Sequence, residues 1–335
     1  MFHFSLIADY TILMSLTRVA VLRGGPSDEY EVSLRTGNEV LRNLSDDRYR
    51  PIDVFISRDG IWHMQGAPRQ PEEIVRHADV VFNALHGSYG EDGKVQKILD
   101  DHRIPYTGSR SLSSAIAMNK VLTKQEMGKA GIKTPLYSTI RRDQDIEKRA
   151  LGIFRSLPHP SVVKPADSGS SLGVTIAQDF ESLLQGIYHA FEMSDTVIIE
   201  EYIKGREATC GVIDGFRGQR IYPLLPVEII PVSSVFFDYD AKYSGGTKEI
   251  CPGNFSNDEK RVIQQMAADA HHALGLRHYS RSDFIVHPRR GIYFLEVNTL
   301  PGLTAESLFP KSLNAVGSHL PEFLDHVITQ AIDQR

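Results

Sequence analysis

The sequence predicts a protein of the α/β class with additional α+β units, formed around more than one hydrophobic core. The chain has 335 residues, which indicates two or three domains at roughly 100–200 residues each. Short apolar runs rich in β-branched residues alternate with helical patterns, as in proteins whose sheets are at least partly parallel. No apolar run approaches the roughly 18 residues that a membrane-spanning helix needs.

Composition and charge exclude several classes of protein. With 41% hydrophobic and 24% charged residues, the composition excludes a disordered or fibrous protein. Lys and Arg number 37 against 42 Asp and Glu, a formal net charge of −5, so no overall positive field favours a nucleic-acid partner. Two cysteines, Cys210 and Cys251, are too few for a disulfide framework, and we expect buried reduced thiols in a cytoplasmic protein.

The first residues are apolar but do not form a secretory signal. Residues 1–17 contain Asp9, and the first basic residue, Arg18, follows the apolar run instead of preceding it. We expect residues 1–13 to be an extension without function and the functional chain to start at Met14.

The first unit begins with a strand, a glycine turn and a helix. Gly24 and Gly25 form the turn, and the last strand of the unit ends in a loop that precedes another helix. We expect this unit to end near Gly108. The predicted strands span 18–22, 51–57 and 78–87, and the first helix spans 31–44.

The rest of the chain predicts two α+β units. In the second unit, a helical stretch over 112–131 precedes strands at 162–165, 173–177 and 196–203 around one helix. The third has a helical C-terminus and, before it, a loop over 234–246 whose aromatic and charged residues suit a segment that crosses a site. Its other predicted elements are strands at 207–213, 222–230, 282–287 and 292–298 and a helix over 257–275.

The last two strands predict a metal site. If the turn between them is centred between Arg289 and Arg290, then Asp283 faces Glu296 and Arg281 faces Asn298, all on one face of the hairpin. Carboxylates about 5 Å apart repel each other unless a cation or a shared proton lies between them. Oxygen ligands of this kind suit Mg²⁺ or Mn²⁺. A solvated sheet face is the simpler alternative.

A glycine- and serine-rich loop is the candidate phosphate site. Residues 166–173 read ADSGSSLG, and the backbone N–H groups of such a loop can surround phosphate oxygens. A polar hairpin turn is the alternative. Lys164 favours the phosphate interpretation, because a lysine inside an apolar strand needs an anionic partner. Lys120 lies on a helical stretch and alone would be an ordinary surface lysine. Only the nearby motifs make it a candidate phosphate ligand.

Two residues of the first unit lie where open α/β sheets bind ligands. Glu29 and His86 both follow predicted strands, at the turns that lead toward helices. Each alone is more often structural. The Gly24–Gly25 turn does not match the G-x-G-x-x-G pattern of dinucleotide-binding folds, so a dehydrogenase is disfavoured.

Six ordered blocks of the sequence resemble one family, the D-alanyl-D-alanine ligases of the ATP-grasp fold. The resemblance extends from about Arg18 to the C-terminus, and two blocks contain the hairpin ligands and the candidate phosphate loop identified above. The blocks are GGPSDEYEVSL (24–34), ALHGSYGEDG (84–93), MNK (118–120), VVKPADSGSSLGV (162–174), FDYDAKY (237–243) and LEVNTLPGLTAESL (295–308).

The resemblance implies three domains and a two-step reaction. It implies an N-terminal Rossmann-like domain (1–108), a central ATP-grasp domain (109–205) and a C-terminal ATP-grasp domain (206–335) whose omega loop is 234–246. ATP would lie between the last two domains. One D-alanine would be phosphorylated to an acylphosphate, which a second D-alanine would attack to give the dipeptide for peptidoglycan synthesis.

The resemblance also implies where ATP and its metal ions bind. Two Mg²⁺ or Mn²⁺ ions would be held by the hairpin residues Asp283, Glu296 and Asn298. Lys120, Lys164, Ser170 and Ser171 would contact the phosphates, Glu200, Glu201 and Ile203 would face adenine, and Glu207 would bind the ribose.

The two D-alanine sites are implied in the same way. Glu29 and His86 would bind the first D-alanine, while Arg281 and the N–H of Gly302 would stabilise the oxyanion. Ser307, Leu308 and Lys242 would bind the second D-alanine, and Glu29, Ser170 and Tyr243 would hydrogen-bond across the site.

The resemblance leaves some alternatives open. A ligase that joins D-alanine to D-lactate or D-serine shares the fold, and a catalytically silent ATP-grasp protein is a further alternative. The family also implies a cytoplasmic homodimer that binds no membrane. Phe237 stands where tyrosine is common in the family and Tyr202 where some members have tryptophan, which affects only the packing of the loop and of adenine.

Overall fold

The computed structural model of the chain describes residues 16–169, 173–231 and 247–334. The predicted loop 234–246, the extension 1–13 and the serines at 170 and 171 lie outside these ranges. Within the described ranges, no helix combines the length and the apolar character needed to cross a bilayer.

The first sheet has the strand order β4-β3-β2-β1-β5, with β1 parallel to both β2 and β5 and with β3 and β4 antiparallel. The predicted strand, glycine turn, helix and further strands are confirmed, whereas β3, β4 and α2 were not predicted. The elements are β1 (Thr17–Gly24), α1 (Tyr30–Asn43), β2 (Tyr49–Ile56), β3 (Trp62–Met64), β4 (Ala67–Pro68), α2 (Pro71–His77), β5 (Val80–Asn83) and α3 (Lys94–Asp101).

The predicted helical stretch 112–131 is two helices, α4 (Ser111–Met118) and α5 (Lys120–Lys129). Asn119 separates them because its backbone is extended and its side chain accepts hydrogen bonds from the N–H groups of Val121 and Leu122. Asparagine is a favoured cap of this kind. The break places Lys120 at the first position of α5.

The second sheet is antiparallel, with the strand order β6-β9-β7-β8. Its own hydrophobic core lies between these strands and two helices and contains no residue of the other sheets. The three predicted strands and one helix are confirmed, and β6 and α6 were not predicted. The elements are β6 (Tyr137–Arg141), α6 (Ile146–Ser156), β7 (Ser161–Pro165), β8 (Thr175–Ala177), α7 (Phe180–Phe191) and β9 (Thr196–Glu201).

The third sheet is antiparallel and has the order β13-β12-β10-β14-β15, with β11 paired to β10. The predicted strand 222–230 is divided, because its pairing with β10 shifts by one residue between Val212↔Pro223 and Thr209↔Val227. The strands are β10 (Arg206–Asp214), β11 (Ile221–Pro223), β12 (Val227–Pro231), β13 (Thr247–Ile250), β14 (Tyr279–His287) and β15 (Gly291–Asn298), and the helices are α8 (Asn257–Ala273), α9 (Leu308–Ala315) and α10 (Leu320–Asp333).

Two of the hydrophobic cores join parts of the chain that are distant in sequence. The C-terminal helices α9 and α10 pack in one cluster with β1, α1 and β5 of the first sheet, and the hydroxyl of Tyr49 donates to Asp325 across this contact at 2.6 Å. Ala117 and Met127, on α4 and α5, pack against the third sheet. The three-domain division remains a prediction, but the first and third sheets share a core that the second does not.

Both cysteines belong to the third sheet or directly follow one of its strands. Cys210 is buried on β10, and burial raises the pKa of its thiol. Cys251 is only half-buried, so the expectation of burial is confirmed for the first cysteine and wrong for the second. Both are free thiols.

The shared core gives a direct test of stability. Leu324 on α10 is 1% exposed, and Leu112 on α4 is 73% exposed. We expect Leu324→Ala to lower the free energy of unfolding by about 2–5 kcal/mol, because it leaves a cavity at the junction. The matched Leu112→Ala should change it by less than about 0.5 kcal/mol. Urea denaturation measures both, and equal effects would contradict the shared core.

Candidate active site

The hairpin of β14 and β15 has the predicted pairing. Asp283 faces Glu296 and Arg281 faces Asn298. The turn, however, is centred on Arg289 and not between Arg289 and Arg290, because His287 pairs with Gly291. A β-bulge beside Asp283 shifts the register by one residue and restores the predicted pairs. The prediction of the pairs is therefore confirmed, while its assumption about the turn is wrong.

Polar groups converge on Asp283. The guanidinium of Arg281 donates to both carboxylate oxygens, at 3.1 and 3.0 Å, and Asn298 Nδ2 donates at 3.3 Å. Thr209, on the neighbouring β10, donates its hydroxyl at 2.6 Å. The side chains of Asp283 and Glu296 keep 18% and 28% of their surface exposed, so both remain accessible. Two carboxylates and one carboxamide are an oxygen donor set that fits Mg²⁺.

Lys120 approaches the hairpin from α5. Its Nζ lies 3.8 Å from Glu296 Oε2 and also donates to the carbonyl oxygen of Ser168, in the candidate phosphate loop. Its backbone N–H bonds to Ala166 at 2.7 Å. The structure thus brings Lys120, the start of the glycine-serine loop and the carboxylate pair together. Ser170 and Ser171 lie outside the described residues.

A buried cluster of charges lies beside Lys120. Lys164 Nζ donates to Glu200 Oε2 at 2.9 Å, and Lys124 Nζ lies 3.1 Å from Glu200 Oε1. Burial tends to raise the pKa of Glu200, but the two ammonium groups outweigh it and lower this pKa to about 2. Burial lowers the pKa of Lys124, whereas the carboxylates raise the pKa of Lys164 despite burial. Lys124 was missed by the sequence analysis, although it lies one helical turn from Lys120.

The remaining residues predicted for the nucleotide lie on or beside β9 and β10. Glu201 turns away from the lysines, because its carboxylate accepts from the N–H of Leu136 and pairs with Arg290 at 2.7 Å. Ile203 is buried against Ile285. Glu207 is half-buried on β10.

On the first sheet, Glu29 directly precedes α1 and His86 follows β5. Ser33 joins these two turns, since its hydroxyl donates to Ala84 and accepts from the N–H of Gly24. His86 Nε2 lies 2.8 Å from Thr36 Oγ1. Burial lowers the pKa of His86 to about 4, so the ring is neutral near pH 7.

Glu91 is a second residue that the sequence analysis missed. One ligand atom of each of Glu29, His86 and Glu91 lies within 4.8 Å of the other two. The Glu91 carboxylate accepts from the N–H of Gly87 at 3.1 Å and from three groups of the loop after β15, the N–H and hydroxyl of Thr299 and the N–H of Leu300, at 2.9–3.0 Å. These bonds use both oxygens, so we assign Glu91 to the loop contact and not to a metal.

The loop after β15 and the start of α9 contain the last predicted site residues. A Cβ atom added at Gly302 would lie 2.9 Å from Ser307 Oγ, so the two residues are in contact. Ser307 directly precedes α9, and Leu308 is its first residue. Thr304 and Ser307 are joined through their hydroxyls at 2.8 Å. Lys242 and Tyr243 lie outside the described residues.

Comparisons with known proteins identify the family. A family model described as D-ala D-ala ligase C-terminus matches residues 127–329, and one described as D-ala D-ala ligase N-terminus matches 18–74 and 64–109. The D-alanine–D-alanine ligase of Geobacter sulfurreducens is 38% identical over 321 residues, which is 95% of each chain. This chain belongs to the D-alanine–D-alanine ligase family. The resemblance predicted from the six blocks is confirmed.

Solved structures of this ligase family have the same fold. The VanG D-Ala:D-Ser ligase from Enterococcus faecalis superposes with a TM-score of 0.85 at 32% identity, over 95% of this chain and 100% of that one. The D-alanine–D-alanine ligase from Bacillus anthracis, solved in complex with ATP, has a TM-score of 0.78 at 34% identity, over 95% and 98% of the chains. The predicted ATP-grasp fold is thereby confirmed.

The buried imidazole predicts a pH dependence of stability. Between pH 6.5 and about 4 the unfolded chain binds a proton at His86 that the folded chain does not bind. The free energy of unfolding should therefore fall as the pH drops through this window, by at most about 1.4 kcal/mol per pH unit for this group, and should be unaffected by it above pH 7. In His86→Gln this part of the dependence should disappear.

Urea denaturation at pH 7.5 and pH 5 measures the difference. His189→Gln, on the half-exposed end of α7, is the control and should follow the wild type. A wild type and a His86→Gln variant that lose equal stability between the two pH values would contradict the assignment.

Proposed function

We propose that this chain is an ATP-dependent D-alanine–D-alanine ligase that supplies the dipeptide for peptidoglycan synthesis and releases ADP and phosphate. One observation carries the proposal: Glu296, which pairs with Asp283 across the hairpin, lies 3.8 Å from Lys120 of α5, and its charge also acts on Lys164 of β7. Carboxylates that hold divalent ions beside lysines that bind phosphates are the arrangement that phosphoryl transfer needs.

ATP is bound by the cleft between the second and third sheets. Lys120 and Lys164 contact its phosphates, together with Ser170 and Ser171 of the glycine-serine loop. Glu200 to Ile203 face adenine and Glu207 binds the ribose.

Two Mg²⁺ or Mn²⁺ ions would be held by Asp283, Glu296 and Asn298, and when bound they would offset the charge on the transferred phosphoryl group. The chain's own contribution is to hold these three side chains on one face of a hairpin. Arg281, already fixed against Asp283, directs a positive charge to the same side.

The first D-alanine binds beside the first sheet. Glu29 receives its ammonium group, and His86, which is neutral, lies near its carboxylate. This carboxylate attacks the γ-phosphate of ATP to form an acylphosphate, which makes the carbonyl carbon an electrophile. Arg281 and the N–H of Gly302 then stabilise the oxyanion that forms when the second substrate attacks.

The second D-alanine binds at the start of α9. Its carboxylate contacts Ser307 and Leu308, since the first N–H groups of a helix have no partner within it and favour an anion. Lys242 and Tyr243 complete this site, and Tyr243, Ser170 and Glu29 hydrogen-bond across it. Closure of the two loops that carry Ser170 and Tyr243, 166–173 and 234–246, would exclude water, which would otherwise hydrolyse the acylphosphate.

A second candidate acceptor is D-serine, because the structural relative with a TM-score of 0.85 is a D-Ala:D-Ser ligase. The decisive assay measures ADP release with D-alanine alone, and then with D-alanine plus D-serine or D-lactate, with the products identified by mass. We expect D-alanyl-D-alanine as the main product in each case.

We further propose that the enzyme is a cytoplasmic homodimer without a membrane or nucleic-acid partner. Light scattering of the purified enzyme tests whether it is a dimer.

The hairpin argument predicts the effect of removing one carboxylate charge. Glu296→Gln keeps the shape of the side chain, so the protein should fold and melt as the wild type does. Its ADP release should fall by roughly 100-fold or more, because charge stabilisation at a metal site is worth several kcal/mol. Glu192→Gln, 71% exposed at the end of α7, is the control with unchanged activity. Magnesium-dependent activity near the wild-type level in Glu296→Gln would exclude the metal assignment.

The acceptor assignment predicts the effect of removing the Tyr243 hydroxyl. The amino group of D-alanine, with a pKa near 8, arrives mostly as ammonium and must lose a proton before it attacks. Tyr243→Phe should therefore lower dipeptide synthesis and improve the relative use of D-lactate, most clearly below about pH 7. Competition at equal D-alanine and D-lactate, with mass analysis, measures the product ratio. An unchanged ratio would remove Tyr243 from the explanation, and depsipeptide as the main wild-type product would overturn the acceptor assignment.

A further inference from the structure

Lys124 is a buried lysine to which the reaction above gives no role. Its side chain is 1% exposed, compared with 10% for Lys120 and 13% for Lys164. Lys120 and Lys124 are four residues apart on α5 and therefore share one face of the helix. Lys120 reaches the phosphate loop and Glu296, whereas Lys124 ends against Glu200 and the ring of Tyr137.

The charges of this cluster do not cancel. One carboxylate, Glu200, is shared by two ammonium groups, with Lys124 at Oε1 and Lys164 at Oε2. The next carboxylate, Glu296, acts on both lysines but lies 3.8 Å from a third ammonium group, that of Lys120, so three lysines share two carboxylates. A buried charge is costly without a partner, so a cluster with one surplus positive charge favours an anionic ligand. Since Lys124 is closed off from the surface, the surplus charge is presented to a ligand through Lys164.

We propose that Lys124 is a positioning residue for ATP: it holds one oxygen of Glu200, and thereby orients Lys164 and leaves it with a net positive charge for the phosphates of the nucleotide. The proposal rests on the proposed function, in which Lys164 binds ATP phosphates. Without Lys124, Glu200 and Lys164 form a one-to-one ion pair. Lys164 is then neutralised by Glu200 and competes less well for phosphate oxygens.

The prediction is a selective loss of ATP affinity. In Lys124→Met, which keeps the length of the side chain, we expect the KM for ATP to rise by about tenfold or more, as for the loss of one charge-assisted contact. The kcat and the KM for D-alanine should stay within about threefold, because no group that touches the reacting atoms has changed. The variant should fold, since the remaining Glu200 and Lys164 are paired.

Matched variants separate this role from a structural one. Lys124→Arg keeps the charge and should recover most of the ATP affinity, and Lys129→Met, 71% exposed on the same helix, should behave as the wild type. If Lys124→Met is insoluble, Lys124→Gln takes its place in every comparison. A merely structural role would lower the amount of active enzyme and the kcat while leaving the KM for ATP unchanged, and that result would overturn the proposal.

A double-mutant cycle tests whether Lys124 acts through Lys164. If it does, the KM for ATP of Lys124→Met combined with Lys164→Met should be close to that of Lys164→Met alone. Multiplication of the two effects would show an independent contact and contradict the proposal. If Lys164→Met itself leaves the KM for ATP unchanged while the wild type makes dipeptide, the phosphate assignment fails. If the wild type releases no ADP with D-alanine, the proposed function itself is contradicted. In that case the dissociation constant for ATP, measured by direct titration of the wild type and the Lys124 variants, tests the positioning role separately.

Discussion

Two carboxylates that face each other across a hairpin require positively charged groups nearby, and this requirement determines which side chains surround them. Asp283 and Glu296 are paired across the hairpin, and like charges directly opposite each other are destabilising unless positive groups offset them. The chain provides these groups from three directions, with Arg281 on the same strand, Lys120 from the start of α5, and Lys164 from β7. The capped break at Asn119 and the bulge beside Asp283 are the local features that bring these side chains to one place. The nucleotide cleft is therefore organised by charge before any ligand arrives.

The parts of the site that follow from local rules could be predicted from the sequence. Strand periodicity places Asp283 and Glu296 each on a predictable face of its strand, and a lysine within an apolar strand indicates the anionic surroundings of Lys164. The pairing of the two carboxylates also required the position of the turn, which was assumed one half-residue too far along the chain and which the bulge offsets. The bulge was not predictable, because it depends on how the turn closes. The break at Asn119 was not recognised either, since the polar residue lies within a stretch whose apolar spacing is continuous. The break at Asn119 sets where α5 begins and the bulge sets which hairpin residues pair, so both features determine how the site is assembled.

Lys124 and Glu91 were missed for a different reason. Each is a charged residue on a pattern typical of a solvated surface, and only tertiary contacts bury it. Glu200 lies far along the chain from Lys124, and Thr299 lies far from Glu91, so no local signal indicates either partnership. The unpredicted strands β3, β4, β6 and β13 are short and carry mixed polarity, and their pairing depends on neighbours that the sequence does not reveal locally.

The shared core and the contact of Glu91 have a mechanical consequence. The C-terminal helices pack on the first sheet, and Glu91 ties the loop after β5 to the loop after β15, so the first and third sheets are joined by a hydrophobic core and by hydrogen bonds. The second sheet has a separate core, and its contacts with the rest of the chain include the Lys120 N–H bond to Ala166 and the ion pair of Glu201 with Arg290. Any movement of the second sheet relative to the other two would therefore leave both the shared core and the Glu91 contacts intact.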